Sequence, residues 1–279
     1  MLNLKSVMKY ACYIKKENLH NEPRVGKLLE RLRESGCEVY EAGAPSDIVP
    51  DTSALLSLGG DGTFLAAVRI AVPADIPVMG INFGRLGFLS ENGPQDVVEA
   101  LADGKYSIEE RGMLEVCGDG VPSDWPYALN EVAVFRNGAA MLGIDVEIDG
   151  HKLPTYWADG LLTATSSGST AYSLSAGGPI CMPDARVLIV SPICPHNLNV
   201  RPLIVPEESD IVISLQSRTG DALFSLDNIT YNVQSGTRLH VHTSDVRLKR
   251  IRLEQSDFIN ALRSRLLWGQ DVRNSEGNR

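Results

Sequence analysis

The chain reads as an α/β N-terminal domain on a parallel sheet, followed by an all-β C-terminal domain and a C-terminal helix that packs back. Three observations predict this. Up to about residue 105, strand and helix signals alternate, the pattern of a parallel sheet with helices on its faces. From about Ser107 helical periodicity is lost, and short β-branched and aromatic runs return between Asp-Gly and Asn-Gly turns. Phe258, Ile259, Leu262, Leu266 and Leu267 then recur at helical spacing near the end. The expected division is residues 1–105, 106–253 and 254–279.

Taken in order, Met8 to Ile14 is the first strand. Val25, Leu28, Leu29 and Leu32 mark a helix stopped by Gly36, and Cys37 to Tyr40 resumes as a strand, completing one βαβ unit. Ala54 to Leu58 is a short apolar strand, Thr63 to Val72 a helix, Ile76 to Ile81 a strand and Pro94 to Leu101 a helix. In open sheets of this kind ligands lie beyond the carboxyl ends of the strands, where Asp61 and Asn82 both fall. In the β region, Val146 to Leu153 reads as a hairpin on an Asp149-Gly150 type I′ turn. Val187 to Ser191, Ile211 to Leu215, Ala222 to Leu226, Arg238 to His242 and Val246 to Leu253 are further strands. The tail Asn274 to Arg279 is polar and expected to fray.

Composition narrows the function. With 279 residues, 43% of them hydrophobic, the chain can furnish the core of two modest domains or one large one, and its net charge of −9 provides no broad basic field for nucleic acid or an anionic membrane. No stretch approaches the ~18 apolar residues of a membrane span, and no leader pattern opens the chain. A cytoplasmic protein with a small-molecule ligand is the expectation. Five cysteines without a C-x-x-C pair read as reduced, mostly buried thiols. No metal ligand set is assigned: His240 and His242 share a strand face but lack a third ligand. Arg247, Lys249, Arg250 and Arg252 read as a salt-bridged surface run. Ser169 and His196 lack the G-x-S-x-G elbow of a hydrolase.

The run Leu55-Leu56-Ser57-Leu58-Gly59-Gly60-Asp61-Gly62-Thr63-Phe64-Leu65 is the strongest local signal. An apolar strand empties into glycines that let backbone approach a ligand, ahead of a helix start whose free N–H groups favour an anion. Asp61 within such a turn either serves chemistry or is simply the N-cap of the helix. The segment from Gly160 to Gly178, rich in Ser, Thr and Gly, resists a regular assignment. It reads as a polar crossover or as a functional loop.

Further segments follow in a fixed order: Asn82-Phe83-Gly84-Arg85-Leu86-Gly87-Phe88-Leu89, then Asn130-Glu131, then Asp159 through Ser166-Ser167-Gly168-Ser169-Thr170-Ala171-Tyr172-Ser173-Leu174-Ser175 to Pro179, and Ser191-Pro192-Ile193-Cys194-Pro195-His196. From about Leu55 to Asp227 this series resembles the bacterial NAD kinases. A lone GGDG turn also fits the diacylglycerol and sphingosine kinases; the long Ser/Thr/Gly segment with Thr-Ala-Tyr separates NAD kinases from them.

The resemblance implies a Rossmann-like first domain and transfer of the γ-phosphoryl of ATP, with Mg²⁺ or another divalent cation, to the 2′-hydroxyl of NAD's adenosine ribose. It implies that Asp61 is the catalytic carboxylate and that Gly59, Gly60, Gly62 and Thr63 form the phosphate loop. Asp61, Gly62, Asn82, Phe88, Asn130, Glu131, Asp159 and the run Thr170, Ala171, Tyr172, Ser173, Leu174, Ser175 would hold NAD, Asn130 at the adenine edge and Glu131 at ribose hydroxyls. Phe88 reads equally as core. Ser167, Trp157, Asp227 and Asn228 are further candidates. A homodimer or homotetramer, with Asp159 serving a neighbouring chain's ligand, is implied too.

Two departures stand out. Most bacterial relatives have a proline in the segment where this chain has Ala164-Thr165-Ser166-Ser167, and many carry a basic residue where Trp157 stands. Two other readings stay open on the sequence: a lipid or other small-alcohol kinase sharing the turn, and a non-catalytic dinucleotide sensor.

Overall fold

The computed structural model describes residues 7–84 and 87–269. The chain forms two compact units, residues 1–109 with 249–279 and residues 110–248.

The first unit contains β1 (Lys9–Ile14), α1 (Glu17–His20), α2 (Pro23–Glu34), β2 (Glu38–Glu41), β3 (Ala54–Leu58), α3 (Asp61–Ala71), β4 (Val78–Ile81) and α4 (Pro94–Asp103). Its strands run parallel in the order β2-β1-β3-β4, with Lys9 opposite Glu38, Tyr10 opposite Ala54 and Leu55 opposite Val78. β3 is buried along its whole length, as a central parallel strand covered on both faces must be. α2 starts at Pro23, whose missing N–H costs nothing at that position, and buries Val25, Leu28 and Leu32. It stops where Gly36 takes φ 82°, with Gly36 N–H on the Arg33 carbonyl and Cys37 N–H on that of Leu32, a Schellman closure. Cys37 is consumed by that cap, so β2 begins one residue later than expected.

The second unit contains most of β5 (Tyr106–Gly118), then β6 (Tyr127–Ala128), β7 (Glu131–Arg136), β8 (Leu142–Ile148), β9 (His151–Lys152), β10 (Tyr156–Ala158), β11 (Gly160–Thr165), α5 (Tyr172–Ser175), β12 (Val187–Ile193), β13 (Leu203–Pro206), β14 (Ile211–Gln216), β15 (Asp221–Leu226) and β16 (Ile229–Gln234). β17 (Arg238–Leu253) gives its residues through Leu248 to this unit, and the remainder, with α6 (Phe258–Arg265), to the first. One antiparallel sheet has the order β13-β12-β11-β7-β15-β16, and a second antiparallel series runs β10-β8-β14-β17. Val132, Val134, Leu161, Phe224, Ile213 and Leu239 fill the core between them. Asp149 and Gly150 take φ 50° and 80°, as a type I′ turn requires.

Several expectations need correction. Arg238 to His242 and Val246 to Leu253 are one strand, because the polar interval stays in line: Thr243 Oγ1 donates to the Glu207 carbonyl and Ser244 Oγ to Glu115. The Ser/Thr/Gly segment is not irregular; it is β11, a 3₁₀ turn over Ser167–Thr170, and α5. Leu266 and Leu267 lie beyond α6 and are exposed. All five cysteines are free, but only Cys12 and Cys181 are buried, and Cys117 and Cys194 are exposed. Asn274 to Arg279 lie outside the described residues.

Candidate functional site

The expected site residues fall on both units. In the first, β3 ends at Leu58 and the chain turns through Gly59 and Gly60 into α3. Gly59 has φ 154°, and a Cβ there would lie 2.4 Å from Thr63 Oγ1. Gly60 and Gly62 differ: a Cβ on Gly60 would meet only Asn82 Nδ2 at 3.9 Å, and one on Gly62 nothing within 4 Å. The space beside these two glycines is open to a ligand, whereas Gly59 and buried Thr63 answer to the protein's own packing.

Asp61 is the first residue of α3, Gly60 is its N-cap, and no side chain caps the helix. The N-cap reading of Asp61 is therefore overturned. Its carboxylate turns instead to the loop after β4, where Oδ2 accepts from Phe88 N–H (2.9 Å) and Oδ1 from Leu89 N–H (3.1 Å) and Ser90 N–H (2.8 Å). A carboxylate has about four acceptor positions, so among the described residues one stays unoccupied on Oδ2. Asn82 is buried and its amide is spent on the same loop, Oδ1 on Gly84 N–H (2.8 Å) and Nδ2 on the Ser90 carbonyl (3.4 Å). The Phe88 ring lies 5.9 Å from that of Phe258 on α6, and the Arg265 guanidinium sits 5.3 Å from its centroid. Burial pushes the Arg265 guanidinium down from its usual value.

In the second unit the turn between β15 and β16 holds Asp227 and Asn228 at φ 44° and 74°. The Asp227 carboxylate accepts from the N–H groups of Leu129 (2.6 Å), Asn130 (2.7 Å) and Glu131 (3.2 Å). It fixes the backbone that presents Asn130 and Glu131. Thr165 completes the clamp, its Oγ1 donating to the Leu129 carbonyl at 2.6 Å and its N–H to that of Asn130 at 2.9 Å. Gly168 packs so closely that a Cβ would stand 2.1 Å from the Asn130 carbonyl oxygen.

The clamped side chains are buried yet incomplete: among the described residues, Asn130 Oδ1 and Glu131 Oε2 have no hydrogen-bond partner. Glu131 is pushed up to about 8 by burial and, secondarily, by the charge of Asp227, opposed by the N–H of Tyr172. Buried polar atoms left unmet are uncommon; Asn130 Oδ1 suits a ligand's donor, and the Glu131 carboxyl can donate while it keeps its proton and accept once it is ionised. Ser173 is buried with an unmet Oγ, whereas Ser175 and Tyr172 are exposed; the Tyr172 ring stacks on Phe135 at 5.9 Å. Thr170, Ala171, Leu174 and Ser167 are half-buried. Asp159 pairs with Arg136 at 2.6 Å, and Arg218 lies over the Trp157 ring at 5.6 Å.

Arg250 escaped sequence reading. It sits in what looks like a basic surface run, yet it is 3% exposed and ion-paired to Glu91 (2.7 Å) and Glu109 (2.8 Å). Nothing local in the sequence signals this, because both partners are more than a hundred residues away. Arg247 and Lys249 do make the expected surface pairs, with Glu207 and Asp75.

Comparison with known proteins agrees with this architecture. Residues 14–104 match the family described as ATP-NAD kinase N-terminal domain, and residues 129–253 the ATP-NAD kinase C-terminal domain. An NAD kinase of Bacteroides fragilis is 40% identical over 228 residues, covering 80% of this chain and 79% of that protein. One of Porphyromonas gingivalis is 41% identical over 223 residues, covering 78% and 77%. Among solved structures, yeast NADH kinase complexed with NADH superimposes with a TM-score of 0.84 at 25% identity, covering 96% of this chain and 90% of that one. An Archaeoglobus fulgidus NAD kinase in complex with ATP gives 0.71 at 26% identity, covering 89% and 95%. The chain belongs to the ATP-NAD kinase family.

Proposed function

We propose that this chain transfers the γ-phosphoryl of ATP to the 2′-hydroxyl of NAD's adenosine ribose, making NADP. The observation that carries the reading is Asp61: a carboxylate fixed by three amides, with one acceptor position left on Oδ2, in a glycine turn with open space beside it. Such a group can orient a hydroxyl and take its proton as the bond from the 2′-oxygen to phosphorus forms and the bond from phosphorus to the β–γ bridging oxygen breaks, releasing ADP. Gly60 and Gly62 let phosphate approach the backbone. Asn130 and Glu131, with unmet buried polar atoms, and the run from Thr170 to Ser175 hold the dinucleotide.

Among the described residues no group of three or more His, Cys, Asp or Glu could hold a metal ion. Mg²⁺ would be carried on the donor's phosphates, with few protein ligands, and would supply charge neutralisation for the transferring group. Among the described residues no helix is long and apolar enough to cross a membrane, consistent with work in the cytoplasm. A homodimer or homotetramer completes the proposal.

The test is an incubation with NAD and MgATP, read by an NADP-specific dehydrogenase. NADP accumulation is expected. NAD binding with no NADP formed, from folded protein, would favour a dinucleotide sensor, and phosphorylation of diacylglycerol in its place a lipid kinase.

A further inference from the structure

The peptide groups that hold Asp61 are held in turn from their other side. The peptide joining Phe88 to Leu89 gives its N–H to Asp61 Oδ1 (3.1 Å) while its carbonyl accepts from Arg250 Nη2 (3.4 Å). The next peptide, Leu89 to Ser90, repeats this, its N–H on Oδ1 at 2.8 Å and its carbonyl accepting from Nη2 at 3.1 Å. Two successive peptide dipoles thus lie between a guanidinium and a carboxylate, each aligned with the field of both charges, and hydrogen bonds in series polarise one another.

The surrounding structure leaves this loop little freedom. The same Nη2 also pairs with Glu91 (2.7 Å) and Nη1 pairs with Glu109 (2.8 Å), so the buried cation is compensated by two carboxylates. A Cβ on Gly80 would fall 2.7 Å from Ser90 Cα and 2.8 Å from the Leu89 carbonyl oxygen, and one on Gly87 would fall 2.0 Å from Asp61 Oδ1. Bare backbone at both positions lets the loop lie against β4 on one side and the carboxylate on the other. Asn92 adds a hydrogen bond from Nδ2 to the Gly80 carbonyl at 2.9 Å.

We propose that Arg250 is a positioning residue for phosphoryl transfer, acting on Asp61 through the peptide groups between Phe88 and Ser90. The proposal rests on the kinase reading. A misplacement of about 1 Å in a reacting group can cost ~10²-fold in rate, and a planar guanidinium whose Nη1 is anchored on Glu109 holds Nη2 against the two carbonyls in a fixed plane that a flexible ammonium lacks.

The experiment compares wild type, Arg250→Lys, Arg250→Met, Asp61→Asn and the double variant Asp61→Asn with Arg250→Lys, each first shown to be folded at the assay temperature by its melting curve. Arg250→Lys, which keeps the charge, is expected to fold and to lower kcat ~10-fold or more with the Kd for NAD within about threefold. Arg250→Met should lose more, so that lysine rescues part of the loss. In the Asp61→Asn background Arg250→Lys should change kcat less than twofold, because the group it positions is gone. Wild-type kcat in folded Arg250→Lys, or equal losses in both backgrounds, would overturn the proposal while leaving the kinase reading intact. A wild-type protein that forms no NADP would instead remove the kinase reading itself, and this inference with it.

Discussion

Glu131 shows how one buried side chain couples ligand binding to stability. Burial, then the charge of Asp227, moves it from 4.5 up to about 8, so between those values the native state keeps a proton that the unfolded chain releases. Because the folded value is raised, the contribution to stability is full below about 4.5 and is lost as pH rises to about 8. Glu131→Gln removes the titration. Its melting temperature relative to wild type should therefore rise between about pH 5 and about pH 8; a difference that stays constant across that window would contradict the assignment. At this scale the sequence singles out the carboxylates at 61 and 131. It could not show what each one touches, and Arg250, whose partners are remote in the chain, was read as surface.

At the scale of elements, what could be read locally was read well. Ala54 to Leu58 is apolar throughout and is the fully buried β3, and Pro23 with Gly36 brackets α2. The 3₁₀ turn and α5 were missed because Ser, Thr and Gly have weak helical preference. Those turns are secured by contacts from outside the segment, such as Cys181 N–H on Ser169 Oγ at 3.1 Å. The same segment's close approach to Asn130 yields a prediction: Gly168→Ala presses a methyl group on a backbone carbonyl that cannot swing away. It should cost about 2 kcal/mol or more, visible in a denaturant titration, and weaken NAD binding through Asn130. Asp227→Ala leaves three backbone N–H groups without their charged acceptor and should lose about 2–5 kcal/mol by the same measurement. A loss under about 0.5 kcal/mol would show that water replaces it.

For the whole molecule, the change of texture near Ser107 signalled an α/β portion followed by an all-β portion, and the structure has that fold class. A C-terminal helix packing back is legible in the sequence; what the pattern could not reveal is that the return begins inside β17, with residues 249–279 joining the first unit, because β17 reads as two ordinary strands until its partners are known. Ligand binding should register globally as well. NAD at about a hundredfold excess over its Kd stabilises the native state by about 2.7 kcal/mol, so the melting temperature should rise with NAD concentration, and a flat response would mean that no NAD site is formed.

Whether Asp61 performs chemistry on a bound dinucleotide is decided by comparing wild type with Asp61→Asn for NADP formation and NAD affinity. Turnover is expected to fall by ~10²-fold or more while the Kd for NAD stays within a few-fold, whereas a variant that turns over like wild type would take Asp61 out of the mechanism.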